Sequence, residues 1–312
     1  MSLPRPRTRA ALAATVPFLL LVTGCGSPDA PSAAPATSTS AATSAAETGS
    51  TDAAAEAALA ALETEFGVRL GVFAVDTGSE EVVEHRADEL FPYASTYKAL
   101  AAAAVLDRTT PAQLDEVVTY TTEDLVTYSP VTELHVDTGM TLHDVAAAAV
   151  QVSDNTAGNL LVDQLGGTAA FEQELRELGD ETTSADRYEP ELNTAVPGDE
   201  RDTSTPRALA TDLRAVAVDD ALEPDDRALL LEWMRTATTG AALVRAGVPA
   251  GWEVADKSGS AEHGTRNDIA VVQPPGRAPI VLAVLSTHPG ADAEPSDAVV
   301  ARAAEVVATA LR

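Results

Sequence analysis

The chain has 312 residues, a formal net charge of −28 at pH 7, and 45% apolar against 22% charged residues. That balance describes a folded protein rather than a disordered one, and the acidic surplus excludes general nucleic-acid binding, which needs clustered Lys and Arg. Of the 20 basic residues only Lys98 and Lys257 are Lys, the rest being Arg, and a buried Lys can give up its proton where Arg cannot.

The first 24 residues carry Arg5, Arg7 and Arg9, no acid, and an apolar run from Ala10 to Val22. The run is too short to span a bilayer and has the layout of an export signal. It ends in Val22-Thr23-Gly24-Cys25, which resembles the lipobox of bacterial lipoproteins, and Cys25 is the one cysteine of the chain. Residues 1–24 are therefore expected to be removed as a signal peptide. Cys25 is expected to be lipidated, tying an exported protein to the outer face of the cell membrane, since two acyl chains anchor stably. A single Cys also excludes an intramolecular disulfide. Residues 25–52, rich in Ala, Ser, Thr and Pro, read as a disordered tether.

The body, residues 53–312, opens with a helical apolar pattern over 53–66 that stops at Gly67. A strand follows over 68–75 and turns at Asp76-Thr77-Gly78. The stretch 95–106 is Ala-rich and nearly uncharged, the mark of a helix buried on all sides. Helices are expected over 142–152, 155–165, 169–178, 206–217 and 225–236. Strands then read over 252–257, 268–272 and 280–285, before a last helix over 296–311. Strands at both ends and helices between them give one α+β domain of two lobes: a sheet lobe from 53–90 and 237–312, and a helical lobe from 91–236. The five histidines are scattered without ligand spacing, so neither a metal nor a cofactor is expected.

Three short motifs carry chemistry. Ser95-Thr96-Tyr97-Lys98 puts a hydroxyl and an amine one helical turn apart, on one face, and a desolvated Lys can activate a Ser nucleophile. Ser153-Asp154-Asn155 sits between two helices, where its residue types also suit an N-cap. Lys257-Ser258-Gly259 ends a strand, with a cation beside a residue that lets a ligand come close. Each is weak alone.

In this order and spacing, SxxK, SDN and KSG resemble the penicillin-recognising serine enzymes. The segment Arg187-Tyr188-Glu189-Pro190-Glu191-Leu192-Asn193 narrows the likeness to class A serine β-lactamases, over essentially all of 53–312. The resemblance implies a five-stranded antiparallel sheet flanked by helices, and hydrolysis of penicillins and cephalosporins through a serine acyl-enzyme. It casts Ser95 as nucleophile, Lys98 as the group that takes its proton, Ser153 as a relay to the leaving nitrogen, and Glu189 as the base for deacylation. Whether Lys98 or Glu189 activates Ser95 stays open. Lys257 is expected to lower the pKa of Lys98 by like-charge repulsion. Asn155 is expected to hold the substrate amide and Asn193 the hydrolytic water. Lys257, Ser258, Gly259, Ser260 and Arg266 line the carboxylate side, Arg266 in bidentate geometry, and Tyr128 is expected to wall the pocket. Arg187 is expected to pair with Asp202 across the neck of its loop.

The expected substrate is a β-lactam antibiotic, and the protein is expected to act as a monomer that confers resistance. Ala94 before the nucleophile and the absence of a second Cys weigh against carbapenem hydrolysis. Two rivals share the motifs: a D-alanyl-D-alanine peptidase or other penicillin-binding protein, and a lipid-anchored β-lactam sensor without turnover. Glu189 with Asn193 argues against both.

Overall fold

The computed structural model describes residues 41–312. The expected signal peptide, Cys25 and the first part of the expected tether lie outside the described residues. Helix α1 (Ala41–Phe66) begins earlier than the boundary read at residue 53. Residues 41–52, read from the sequence as part of a disordered tether, are thus helical, with four Ala and Glu47 favouring the helix and Gly49 and the Ser and Thr residues weakening it.

A single five-stranded antiparallel sheet is the frame, in the order β2-β1-β5-β4-β3. Its strands are β1 (Arg69–Asp76), β2 (Val82–His85), β3 (Glu253–Ala261), β4 (Thr265–Gln273) and β5 (Ile280–Thr287). The N-terminal β1 pairs with the C-terminal β5, from Arg69 opposite Thr287 to Asp76 opposite Ile280. Both ends of the chain thus build one sheet. Strand β2 escaped the periodicity because it has only four residues, one of them the exposed Glu84.

Both sheet faces are covered, so β1 is buried nearly throughout rather than in alternation. Phe73 and Val75 point into one core, and Leu70, Val72 and Ala74 into the other. The second core is closed by α1 and by α8 (Asp297–Ala310), which lie side by side. The first is closed by the helical lobe: α2 (Tyr97–Arg108), α3 (Leu142–Gln151), α4 (Asn155–Leu165), α5 (Thr168–Leu178), α6 (Pro206–Ala217) and α7 (Pro224–Arg235). Every residue of α2 from Tyr97 to Leu106 is buried, and it packs against α3, α4 and α7. Its run of alanines permits that enclosure, because small side chains let helix axes approach from several sides.

Two short pieces of backbone place the chemistry. Phe91 and Pro92 pair with Ser204 and Thr203, and the Tyr93 N–H donates to the Asp202 carbonyl at 3.2 Å. The approach to the nucleophile and the exit of the loop 187–202 are therefore one ladder. Asp154 accepts from the Ala157 N–H at 2.9 Å as the N-cap of α4, and its other contacts, to the Val131 and Thr132 N–H groups, pin the preceding loop.

Candidate active site

Ser95 is the middle residue of a 3₁₀ turn (Ala94–Thr96) that runs into α2. The backbone reaches it through Ala94 at φ +49°, a left-handed geometry that L-residues adopt only when their surroundings hold them there. Lys98, one turn on, is fully buried, and its Nζ donates to Ser95 Oγ at 3.0 Å, the Ser153 carbonyl at 3.0 Å and Asn155 Oδ1 at 2.6 Å. Glu189 Oε1 lies 2.9 Å from Lys98 Nζ and accepts from Ser95 Oγ at 3.1 Å. Hydroxyl, amine and carboxylate form a closed triangle.

Glu189 is held at both ends. Its backbone N–H donates to Asn159 Oδ1 at 2.8 Å, and its carbonyl accepts from Asn159 Nδ2 at 2.9 Å. The other carboxylate oxygen accepts a short hydrogen bond from Asn193 Nδ2. Asn193 Oδ1 is buried and has no partner in the protein. Arg187 pairs with Asp202 as the resemblance implied, and Asp202 also accepts from the N–H groups of Asp186 and Arg187 and from the Tyr93 hydroxyl.

The far wall is β3. Lys257 is fully buried and donates to Ser153 Oγ at 2.9 Å, so the two lysines meet through one serine, whose φ of +62° turns its carbonyl to Lys98 and its hydroxyl to Lys257. Ser258 Oγ donates to Thr239 Oγ1 at 2.7 Å. Gly259 packs on the nucleophile's backbone: a Cβ there would stand 3.0 Å from the Tyr93 carbonyl oxygen and 3.2 Å from the Ser95 nitrogen. Ser260 follows, solvent-exposed, opposite Arg266 in the ladder.

Burial lowers the Lys98 pKa, against the pull of Glu189. The expected repulsion shows its effect on the other lysine: burial first, then the Lys98 charge, bring Lys257 down to about 7. The sequence expectation is corrected accordingly. Desolvation inside an alanine-walled helix core, rather than the second cation, is what weakens the Lys98 ammonium.

Three expected site residues are placed differently in detail. Tyr128 is 58% exposed, and its carbonyl accepts from the Asn155 N–H at 2.9 Å. Arg266 Nε already donates to Asp297 Oδ1 at 2.6 Å, so only the remaining edge of its guanidinium is open to a carboxylate. Asn155 spends its oxygen on Lys98 and one amide proton on the Thr127 carbonyl at 2.9 Å, which leaves a single N–H for a ligand. The sequence reading missed Asn159, Thr239 and Asp297. Asn159 did carry a signal, since it falls four residues after Asn155 on the same helix. Among the described residues no cluster of His, Cys, Asp and Glu could hold a metal ion.

Comparison with known proteins agrees with this geometry. A family model described as the Beta-lactamase enzyme family matches residues 54–311. A β-lactamase of Amycolatopsis lactamdurans is 60% identical over 250 residues, covering 80% of this chain and 83% of that protein. One from Bacillus subtilis (strain 168) is 55% identical over 251 residues, covering 80% and 82%. Among solved structures, the β-lactamase of Desulfarculus baarsii superposes with a TM-score of 0.82 at 48% identity, over 83% of this chain and 98% of that one. The class A β-lactamase of Clostridium kluyveri does so at 0.82 and 45%, over 83% and 99%. With the Ser95–Lys98–Glu189 triangle at its centre, the chain belongs to the β-lactamase enzyme family, on the class A side of it.

Proposed function

We propose that this protein opens the ring of penicillins and cephalosporins through a Ser95 acyl-enzyme, and that it protects its host from these antibiotics. The observation that carries the reading is Glu189 within hydrogen-bond reach of Ser95 Oγ and clasped by Asn193. A serine with only a lysine partner could acylate. The added carboxylate supplies the base for water.

Acylation starts with the Ser95 proton. Glu189 Oε1 at 3.1 Å can take it directly, whereas Lys98, 3.0 Å from Ser95 Oγ, accepts it only after passing a proton of its own to Glu189, 2.9 Å away. Ser95 Oγ then attacks the lactam carbonyl, and the oxyanion that forms is met by the N–H groups of Ser95 and Ser260. Breaking the C–N bond leaves a nitrogen that needs a proton. Ser153 Oγ provides it and is recharged by Lys257, 2.9 Å away, while Glu189 releases the Ser95 proton to solvent, from which Lys257 regains its own. Lys257, Ser258 and the free edge of Arg266 bind the substrate carboxylate, and Asn155 its amide. For deacylation Glu189 takes a proton from water, the water donating its other hydrogen to Asn193 Oδ1; the hydroxide adds to the acyl carbonyl, and as the ester C–O bond breaks Glu189 returns its proton to Ser95 Oγ. The test is Glu189→Ala with a chromogenic cephalosporin. The variant should stall as a covalent adduct on Ser95 seen by intact mass, with turnover down at least about 10²-fold, while wild type cycles. A stable adduct on the wild-type protein would instead indicate a penicillin-binding protein or sensor.

The same proposal includes export and anchoring, supported by the basic apolar leader and by Cys25 at its expected cleavage point. One chain carries every residue of the site, which supports action as a monomer. Labelled palmitate should enter the wild-type protein, while Cys25→Ser should lose the label and appear in the medium. Retention of Cys25→Ser in the membrane fraction would sink the lipid anchor.

A further inference from the structure

Asn267 on β4 is fully buried, yet it lies in a strand whose other inward positions are mostly apolar. It stands directly opposite Gly259 on β3 and Leu285 on β5. Because Gly259 has no side chain, the Asn267 amide reaches across that gap to the backbone that leads into the nucleophile. Its Nδ2 donates to the Pro92 carbonyl at 2.8 Å and the Tyr93 carbonyl at 3.2 Å, while Oδ1 accepts from the Ser286 N–H at 3.1 Å. Both of its donors and its acceptor are therefore spent on backbone, and none on ligand. The Tyr93 carbonyl is gripped further by Thr96, whose Oγ1 donates to it at 2.7 Å. The next residue, Ala94, carries the left-handed backbone that aims the Ser95 N–H.

We infer that Asn267 is a positioning residue for the oxyanion hole, a staple from the central sheet that fixes residues 92–94 so that the Ser95 N–H stands at a set distance from the edge of β3. Ser95 packs on β3 at Gly259, where a Cβ would stand 3.0–3.2 Å from Tyr93 O, Ala94 Cβ and Ser95 N and would push that backbone away, so the staple and the bare glycine set one gap between them. A fixed sheet and a left-handed residue held by two carbonyl contacts are what preorganised donors require, since a shift of about 1 Å in such a donor costs about 10²-fold in rate. The inference rests on the Ser95 acyl-enzyme proposed above.

The test reads the acyl carbonyl itself. With Glu189→Ala as background, the acyl-enzyme formed from a penicillin carries an ester whose infrared carbonyl band moves to lower wavenumber as its oxyanion-hole hydrogen bonds strengthen. Adding Asn267→Ala, or Asn267→Asp, should move that band up. In the Glu189-intact protein the same substitutions should lower kcat/KM by about 10²-fold, with KM changed far less than kcat. Asn267→Asp keeps an acceptor for the Ser286 N–H and so covers the case in which Asn267→Ala fails to fold. Acidifying that variant gives its carboxyl a proton to donate, and the band should then return toward the wild-type position. A folded variant with a lower melting temperature but an unmoved band and kcat/KM within threefold of wild type would overturn the inference and leave Asn267 a purely structural residue. Absence of any acyl band in the Glu189→Ala protein would sink the Ser95 reading instead, and the inference with it.

Discussion

Lys257 meets two demands that pull apart. Ligand binding wants a cation beside the substrate carboxylate, whereas burial and the charge of Lys98 bring its pKa to about 7. In the free protein its charge is therefore present below pH 7 and is lost as pH rises through that value. A bound carboxylate favours the charged form, so the complex binds a proton that the free protein has released. KM for a carboxylate-bearing β-lactam should stay flat below pH 7 and rise above it, by up to about tenfold per pH unit until the pKa of the complex is reached. Steady-state kinetics from pH 6 to 9 check this, with Lys257→Ala expected to be weak and nearly pH-independent. A wild-type KM that is constant to pH 9 would show that the site stays charged.

Side chains that act on ligand were legible in the sequence because their types are rare and their spacing is chemical: one Ser–Lys turn, one Ser-x-Asn, one Lys-Ser-Gly. Those that act on backbone were not. Asn159, Asn267 and Thr239 are ordinary polar residues until the chain that they hold is seen. The repulsion expected between the lysines failed for a related reason. Periodicity shows that α2 is buried, but not that burial outweighs a neighbouring charge in setting the state of Lys98.

Among the elements, the loop 187–202 has the least regular structure and the most demanding task, since it must hold Glu189 still while substrate comes and goes. Asp202 secures its neck. Fully buried, it accepts from two backbone N–H groups, a tyrosine hydroxyl and Arg187. Replacing it with Ala strands those donors and leaves the Arg187 charge without its partner, and breaking such a buried pair costs about 3–5 kcal/mol. Asp202→Ala should lower the urea midpoint accordingly. Because Glu189 rides on the same loop, the variant should also slow deacylation more than acylation, giving a burst of product before a slow steady state. A change below about 1 kcal/mol with no burst would place the loop's rigidity elsewhere, for instance in the Asn159 clasp or the Tyr188–Asp163 hydrogen bond of 2.8 Å.

At the scale of the whole molecule, apolar periodicity located the helices after α1 and the last three strands to within a few residues, because each buries a face whose pattern is written locally, whereas the start of α1, which has no such pattern, was missed by twelve residues. The order of the strands was not written locally. Register and adjacency depend on which distant segment supplies the partner edge, and so β2 and the two-residue ladders that seat the nucleophile were invisible. The two-lobed outline came from the alternation of strand-rich ends and helical middle, and the sheet built by β1 and β5 has that outline.

That pairing also has a meaning in time. Strand β1 emerges early in synthesis, yet the neighbour that buries its inner edge is the last strand to be made. Until β5 is complete, β1 can form only its hairpin with β2, and a lone two-stranded hairpin is marginal in water. The growing chain should therefore stay open to proteases, then lock when residues 280–312 deliver β5 and α8 together. A chain stopped after Pro279 should be degraded by a protease that spares the full-length protein. Resistance of the truncated chain would show that the helical lobe folds without its sheet. On this account the topology delays folding until the chain is complete.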